Sequence, residues 1–291
     1  FASGCRGSSP PKEHKVCINL SGGFRNGMEI ILTGLDIEEK ANVFTNTLFN
    51  SVGGKEQFDE VSIQLHRTDK HDANTNEEAM ASLVISVKSK DPNLVGRLFS
   101  AKIIELALAN IPGFFAQSGV KTSGPVIVYW PALVKSKYIK EIVHVDGKDI
   151  EVEPTSQLDL EEIYYQKEPV KLEKIEIKGE RELYFGELFG TRSGDKGGCA
   201  NLGVWAKNSH AFAFLYDFLT VDKLKDLLPD LQEFKIERFE LANINSLNFY
   251  IHDILQDGVS SNNKKDGQAK SLGEYLRSKK IKVPESIIGD L

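Results

Sequence analysis

The order of predicted strands and helices in the first half of the chain constrains the fold most. Two apolar runs, residues 14–20 and 28–33, flank Asn26-Gly27, a dipeptide that is typical of hairpin turns. A helix should begin after Asp36, with Glu39 as its capping-box partner, because a polar N-cap followed three residues later by Glu satisfies the first backbone amides. We therefore predict a strand or hairpin followed by a helix.

The rest of this half continues the pattern. Residues 58–65 and 82–87 alternate apolar and polar side chains, as half-buried strands do. A second helix should follow Asp91-Pro92, and a final strand should form near residues 124–130. The resulting β-α-β-β-α-β order is the split βαβ, or ferredoxin-like, arrangement.

The second half predicts another antiparallel α+β unit. Strands are expected at 183–189, 200–205, 234–241 and 246–252. Helices are expected after Asn208 and Thr220, which are good N-cap residues, and again near residues 271–279. We predict an α+β protein with two ferredoxin-like α/β-sandwich domains and mainly antiparallel sheets.

Charge is unevenly distributed and suggests where these domains meet. Residues 1–146 carry 16 basic and 16 acidic side chains, residues 147–182 carry 6 and 11, and residues 183–291 carry 14 and 15. Most of the net charge of −6 therefore lies in the middle segment. We predict domains at 1–146 and 183–291, joined by an acidic connector at 147–182.

Composition excludes several classes of protein. A mildly acidic chain lacks the basic face that nucleic-acid binding needs. No apolar run is long enough to span a membrane, and three scattered cysteines do not make a disulfide framework. His66, Asp69 and His71 lie in a polar loop without the helical spacing of a metal site, so we predict no metal and no cofactor.

The segment from Gly190 to Cys199, GTRSGDKGGC, is the most function-like part of the sequence. We predict a loop in which Arg192 and Lys196 bind an anion, while the backbone amides of Gly194, Gly197 and Gly198 cradle it. The competing interpretation is a tight structural connection whose side chains bond backbone amides.

Other polar residues complete the predicted site. Asp195, Ser193 and His252 are the candidate catalytic residues, and Asn201 is a further ligand-binding candidate. His252 would be a general base on the polar face of its strand, or would simply be solvated. The polar loop at residues 260–270 would reach the same ligand, or would be a surface loop.

The quoted residues resemble a known family. Residues 191–205 (TRSGDKGGCANLGVW) are similar to the signature of the acyclic terpene utilisation family, the AtuA-like proteins. Residues 22–41, 94–115, 241–252 and 268–277 support this resemblance, whereas Cys199 stands where the family pattern implies an acidic residue. The resemblance implies a longer protein, with an N-terminal α/β half that is mostly absent here and a C-terminal portion that ends in a ferredoxin-like fold.

It also implies a role in the breakdown of acyclic terpenoids and branched-chain acids through acyl-CoA intermediates. We expect the C-terminal portion of a soluble catabolic enzyme that binds an anionic acid or acyl-CoA, of lyase, hydratase or hydrolase type. Its partners would be the missing half or another chain, in an oligomer located in the cytoplasm or the mitochondrial matrix. The alternative is a non-catalytic assembly or protein-interaction module.

Overall fold

The computed structural model describes residues 12–109, 111–152 and 179–288, together with positions 170, 172, 173 and 175. The chain divides into two compact units. The first comprises residues 20–128 and 259–267, and the second comprises residues 1–19, 129–258 and 268–291. Most of the predicted acidic connector lies outside the described residues.

The first unit contains an antiparallel sheet with two helices. Its elements are β1 (Glu13–Thr33), α1 (Ile37–Ser51), β2 (Glu60–His66), β3 (Met80–Ser89), α2 (Arg97–Leu106), β4 (Phe114–Ala116) and β5 (Gly124–Lys135), of which β1 and β5 also extend into the second unit. The sheet order is β2-β3-β1-β4, and β5 also pairs with β1. This is the strand order of a ferredoxin-like fold, in which the short β4 takes the place of the last strand; the strand predicted near residues 124–130 is β5, which pairs with β1 outside that order.

Alternation along β1 and β3 separates a buried face from a polar face. Met28, Ile30 and Leu32 are at most 1% exposed, and they belong to a core cluster that contains residues of α1 and α2. Each such side chain stabilises the fold by about 1.5–3 kcal/mol relative to its exposed state. The intervening β1 residues, Arg25, Gly27 and Glu29, pair with Lys88, Ser86 and Val84 of β3 on the other face.

The predicted hairpin at Asn26-Gly27 is wrong, because both residues lie within the continuous strand β1. Asn26 is 5% exposed, and its side-chain amide donates to the carbonyl oxygens of Gly96 and Lys121, both at 3.2 Å. Its Oδ1 accepts from the Gly27 amide at 2.8 Å. Distant carbonyls therefore hold this residue in an extended strand.

Helix α1 begins where the sequence predicted, but without the predicted capping box. Asp36 adopts a left-handed conformation with φ 56°, and its side chain makes no capping hydrogen bond. The helix ends before Gly53 and Gly54, whose φ angles of 90° and 106° are accessible to glycine at little cost.

The second unit contains a four-stranded antiparallel sheet and two short strand pairs. Its elements are β6 (Glu141–Val145), β7 (Lys148–Val152), β8 (Glu180–Tyr184), α3 (Phe185–Leu188), β9 (Phe189–Lys196), β10 (Cys199–Ala206), α4 (Ser209–Phe218), α5 (Val221–Leu227), β11 (Ile236–Leu241), β12 (Ser246–Ile251), α6 (Leu272–Arg277), β13 (Lys280–Pro284) and α7 (Glu285–Ile288). The large sheet has the order β11-β12-β10-β9, while β13 pairs with β8 and β6 pairs with β7.

The α+β class with mainly antiparallel sheets is confirmed, with one local difference. In the simple split βαβ order the last strand would lie beside β10, but here β9 occupies that position and β13 pairs with β8. The strand predicted at 183–189 is also interrupted, because α3 separates β8 from β9.

The predicted caps of α4 and α5 are confirmed. The Asn208 side chain accepts from the Ala211 amide at 2.8 Å, and the Thr220 hydroxyl accepts from the Lys223 amide at 3.1 Å. Such caps are worth about 1 kcal/mol each and define where the helices begin.

Candidate functional site

The glycine-rich segment is a β-hairpin, so the predicted loop is wrong. Residues up to Lys196 belong to β9 and residues from Cys199 belong to β10, and Lys196 pairs with Cys199 across a two-residue turn. The antiparallel pairing continues to Phe189 and Ala206. Of the three glycines whose amides were predicted to cradle an anion, Gly194 lies in the edge strand β9, opposite Asn201, whereas Gly197 and Gly198 form the turn.

The two turn glycines are explained by conformation and close packing. Gly197 has φ +68°, a left-handed conformation that favours glycine. A Cβ on Gly198 would approach the Gln256 carbonyl oxygen far closer than the 3.0 Å that real Cβ contacts keep. The Leu255 amide donates to the Gly198 oxygen at 2.8 Å and fixes this close approach.

Strand alternation places the predicted site residues on opposite faces of the sheet. Ser193 and Asp195 pair with the buried residues Leu202 and Ala200, on the face that packs against helices. Arg192, Gly194 and Lys196 alternate with them and pair with Gly203, Asn201 and Cys199 on the opposite face. The structure therefore does not bring the predicted catalytic pair together with the predicted anion-binding residues.

The hydrogen bonds of Ser193, Lys196 and Asn201 are made with strands and a helix of the same unit. Ser193 accepts a hydrogen bond from the Gly273 amide of α6 at 3.0 Å. The Lys196 ammonium donates to the Asp195 carbonyl oxygen at 2.8 Å, and Asn201 donates to the Asn248 side chain at 3.2 Å. Ser193 therefore positions a helix, and no base that would activate it as a nucleophile is among these contacts.

His252 lies at the end of β12, near Tyr250. Its Nε2 is 2.5 Å from Glu237 Oε1, and its ring meets the Tyr250 ring edge-on at 4.9 Å. The bond to His252 lowers the pKa of Glu237 below its ordinary value. A hydrogen bond with Cys199, together with burial, raises the pKa of Tyr250 to about 12. His252 is thus paired with a carboxylate rather than with Ser193 or Asp195.

The polar loop that begins at His66 is held by ion pairs. The Arg67 guanidinium donates to both carboxylate oxygens of Asp69 at 2.8 Å, which lowers the pKa of Asp69. Lys70 pairs with Glu78 at 2.7 Å. Within the described ranges, no group of three His, Cys, Asp or Glu side chains could hold a metal ion.

A pocket of about 440 Å³ lies on the polar face of the first unit's sheet. Its lining residues come from β1, β3, the segment between β4 and β5, the start of β5, and the loop at 259–267: Arg25, Asn26, Gly27, Met28, Glu29, Val84, Ser86, Lys121, Gly124, Asn262, Asn263 and Lys264. This volume is within the range of small-molecule sites, roughly 300–1,000 Å³.

Three of the four charged residues that line this pocket are cations. Arg25, Lys121 and Lys264 contribute positive charge, and Glu29 is the one acidic side chain in the lining. Arg25 donates to the Asn262 carbonyl at 3.4 Å and Lys121 donates to the Gly27 carbonyl at 3.3 Å. Both hydrogen bonds are long and both acceptors are neutral, so neither bond offsets the positive charge that an anionic ligand would meet.

The loop at 259–267 forms one wall of this pocket. Ser261 and Asn262 are 1% and 3% exposed, and the Asn262 side chain donates to the Gly267 carbonyl at 3.0 Å. Gln64 donates to the Asn263 carbonyl at 3.0 Å, and the Asn263 side chain bonds Glu60. The two interpretations of this polar loop were contact with the ligand and a surface loop. Its buried residues and hydrogen bonds favour the first, although the loop lines the pocket and not the hairpin.

Comparison with known families agrees with the resemblance in sequence. Residues 1–145 match the model of the acyclic terpene utilisation family protein AtuA, and residues 185–282 match the AtuA ferredoxin-like domain. The chain belongs to the AtuA family. Comparison with curated proteins and with solved structures gives no match.

Both AtuA matches contribute to the pocket. Arg25, Glu29 and Lys121 lie in the AtuA match, while Asn263 and Lys264 lie in the match to the ferredoxin-like domain. In the described part of this AtuA protein, no helix has the length and apolar character needed to cross a membrane.

Sequence reasoning missed Arg25, Glu29 and Lys121 as site residues. A signal was present in β1, where the charged side chains of Arg25 and Glu29 alternate with the buried Asn26, Met28 and Ile30. That period of two predicts a polar sheet face. No local pattern, however, connects this face with Lys121 or with a loop more than 230 residues away.

Proposed function

We propose that this AtuA-family chain binds an anionic acid or acyl-CoA of acyclic terpenoid or branched-chain acid breakdown in the pocket of its first unit. The observation that carries the proposal is the set of three cations around one carboxylate in a cavity of about 440 Å³. Arg and Lys side chains recognise carboxylate and phosphate groups, and an acyl-CoA carries phosphates. The family name supports a role in acyclic terpene utilisation, and the acid and acyl-CoA classes are part of the proposal.

The pocket is a better anion site than the predicted hairpin. Arg25 is half-buried in a concave lining that it shares with the exposed Lys121 and Lys264, whereas Arg192 and Lys196 lie exposed on an open sheet face. Partial burial lowers the effective dielectric and strengthens attraction between opposite charges. The anion-binding role of the Arg192–Gly198 segment stays a prediction, now without the support of a loop cradle.

Binding measurements on the full chain test this proposal. Isothermal titration with 3-methylbutanoate and 3-methylbutanoyl-CoA should give a measurable Kd, and the affinity should decrease as salt screens the charges. In Arg25→Ala the Kd should rise about 10- to 100-fold, since a hydrogen bond to a charged group contributes about 1.5–3 kcal/mol. Lys121→Ala should act in the same direction.

Two control variants make the test specific. Lys102 is an exposed cation of α2 paired with Glu105, so Lys102→Ala removes the same charge outside the pocket and should leave the Kd unchanged. Lys196→Ala tests the hairpin directly and should also leave the Kd unchanged. A Kd that increases in Lys196→Ala but not in Arg25→Ala would move the anion site to the hairpin and refute the pocket.

A second candidate function is an assembly module that forms an oligomer or binds another chain. Trp205, Phe239 and Leu241 are 41–44% exposed, and Trp205 and Leu241 both pair with Ser246 on the polar face of the β11-β12-β10-β9 sheet. Exposed aromatic and aliphatic side chains on one face are typical of interaction surfaces. Light scattering should then show an oligomer that Trp205→Glu dissociates, and a monomeric wild-type chain would exclude self-association.

A further inference from the structure

Glu29 is the one carboxylate among the pocket's lining residues. It lies on β1 between Gly27 and Ile31 on the polar sheet face, opposite Val84 of β3. Arg25, four residues earlier on the same face, and Lys121 also line the pocket. A ligand whose anionic or carbonyl group contacts the cations would therefore have Glu29 in the same cavity.

A hydrogen bond orients the Glu29 carboxylate, and no ion pair with a described residue offsets its negative charge. The hydroxyl of Ser82, which is 8% exposed, donates to Glu29 Oε1. Among the described residues, no Lys or Arg nitrogen lies within 4.0 Å of its oxygens. Glu60, a second carboxylate of the same sheet face, contrasts with it, because Glu60 binds the Lys88 ammonium at 2.6 Å and the Asn263 amide.

We propose that Glu29 is a general base that removes a proton from the carbon next to the carbonyl group of a bound acyl thioester. This inference rests on the proposed function, because it places the ligand in the same pocket. A thioester suits the step better than a free carboxylate, since the negative charge of a carboxylate makes the adjacent C–H bonds less acidic. A carboxylate with one oriented oxygen and no ion pair can accept such a proton.

The step balances within the pocket. The C–H bond breaks, its proton moves to the Glu29 carboxylate, and its electron pair forms the carbon–carbon double bond of an enolate. Negative charge develops on the thioester oxygen, where Arg25 and Lys121 would stabilise it electrostatically. Return of a proton from Glu29, after exchange with solvent, regenerates the thioester. Enolisation of this kind is a first step of lyase and hydratase chemistry, whereas thioester hydrolysis does not require it.

Solvent deuterium exchange tests the proposal directly. The full chain is incubated with 3-methylbutanoyl-CoA in D₂O, and deuterium at the carbon next to the carbonyl is followed by mass spectrometry. Wild type should incorporate deuterium faster than the buffer control. Glu29→Gln should lower the rate at least about 100-fold, the usual contribution of a positioned base, with a Kd within about threefold of wild type.

Two further variants separate a catalytic role from a structural one. Glu77→Gln changes an exposed carboxylate outside the pocket and should exchange at the wild-type rate. Ser82→Ala keeps the Glu29 carboxylate but removes the hydroxyl that orients it. It should lower the exchange rate less than Glu29→Gln does and should shift its pH profile, as expected for a positioning residue.

The possible outcomes distinguish this inference from the proposed function. Binding without exchange in wild type, or exchange that persists in Glu29→Gln, would overturn the role of Glu29 and leave the pocket as a binding site. No binding of acid or thioester to wild type would overturn the proposed function and this inference together. Exchange that is lost only in Glu29→Gln, with binding retained, supports both.

Discussion

Replacing Gly198 by alanine should destabilise the second unit more than the same substitution at Gly194 or Gly197. A Cβ at this position would overlap with the Gln256 carbonyl oxygen, a backbone atom that cannot move aside as a flexible side chain can. Separating the two segments would also stretch the bond from the Leu255 amide to the Gly198 oxygen, now 2.8 Å long. The perturbation is thus an overlap plus a weakened hydrogen bond.

The expected magnitude follows from these two contributions. Overpacking costs about 1–3 kcal/mol, and a lost backbone hydrogen bond costs about 1 kcal/mol. We expect Gly198→Ala to lower the free energy of unfolding by about 3 kcal/mol, which corresponds to a Tm decrease of roughly 6–12 °C. Thermal unfolding followed by tryptophan fluorescence reports on this sheet, because Trp205 lies in β10.

Two neighbouring glycines provide matched controls. Gly197→Ala places a Cβ at φ +68°, which costs about 1–2 kcal/mol. Gly194 has no heavy atom within 4 Å of its added Cβ and lies in a strand, so Gly194→Ala should be neutral or stabilising by about 0.5 kcal/mol. A Gly198→Ala Tm equal to or above that of Gly197→Ala would refute the close approach at Gln256.

Two further predictions concern the single substitutions Cys199→Ala and Asn26→Ala. Cys199→Ala removes the largest cause of the raised pKa of Tyr250. Tyrosinate absorbance, after subtraction of the signal of the Tyr250→Phe variant, should therefore show that the pKa of Tyr250 moves from about 12 towards 10. Since the folded state holds this phenolic proton more tightly, the associated stability is present below pH 10 and is lost as pH rises through about 12. Asn26→Ala should cost about 1–3 kcal/mol in urea unfolding, because it leaves the buried carbonyl of Gly96 without this donor, whereas the Lys121 carbonyl keeps its bond from the Ser100 hydroxyl at 2.7 Å; a cost below 0.5 kcal/mol, as for a surface turn residue, would contradict the buried role.

Much of the fold was predictable because it depends on sequence neighbours. The caps at Asn208 and Thr220 act within three residues, and alternation of side chains defines β2 and β3 within a single strand. The β-α-β-β-α-β order then leaves few ways to pair the strands of the first unit. Elements of this kind require no knowledge of distant parts of the chain.

Asn26-Gly27 shows where local reasoning fails. The dipeptide favours a turn when the asparagine side chain bonds its own backbone. Here the side chain finds acceptors at Gly96 and Lys121, which lie 70 and 95 residues further along the chain. Burial of those bonds outweighs the turn preference, and no local pattern in the sequence reports it.

The candidate pocket was unpredictable for a related reason. Its cations at Arg25, Lys121 and Lys264 come from three separate segments, and only the folded sheet and the loop at 259–267 bring them together. Alternation in β1 could have placed Arg25 and Glu29 on one polar face. Only the three-dimensional structure shows that this face lines a cavity.

The hairpin and the pocket also show how glycine-rich motifs with charged residues can be distinguished. A motif that cradles an anion must leave its backbone amides unpaired, whereas a hairpin pairs every second amide of each strand with the neighbouring strand. The spacing Gly190, Arg192, Gly194 and Lys196 has a period of two, which is the spacing of one strand face and not of a nest of amides. In this chain the hairpin explains the motif as a tight turn with close packing, and the proposed anion site lies with side-chain cations on a different sheet.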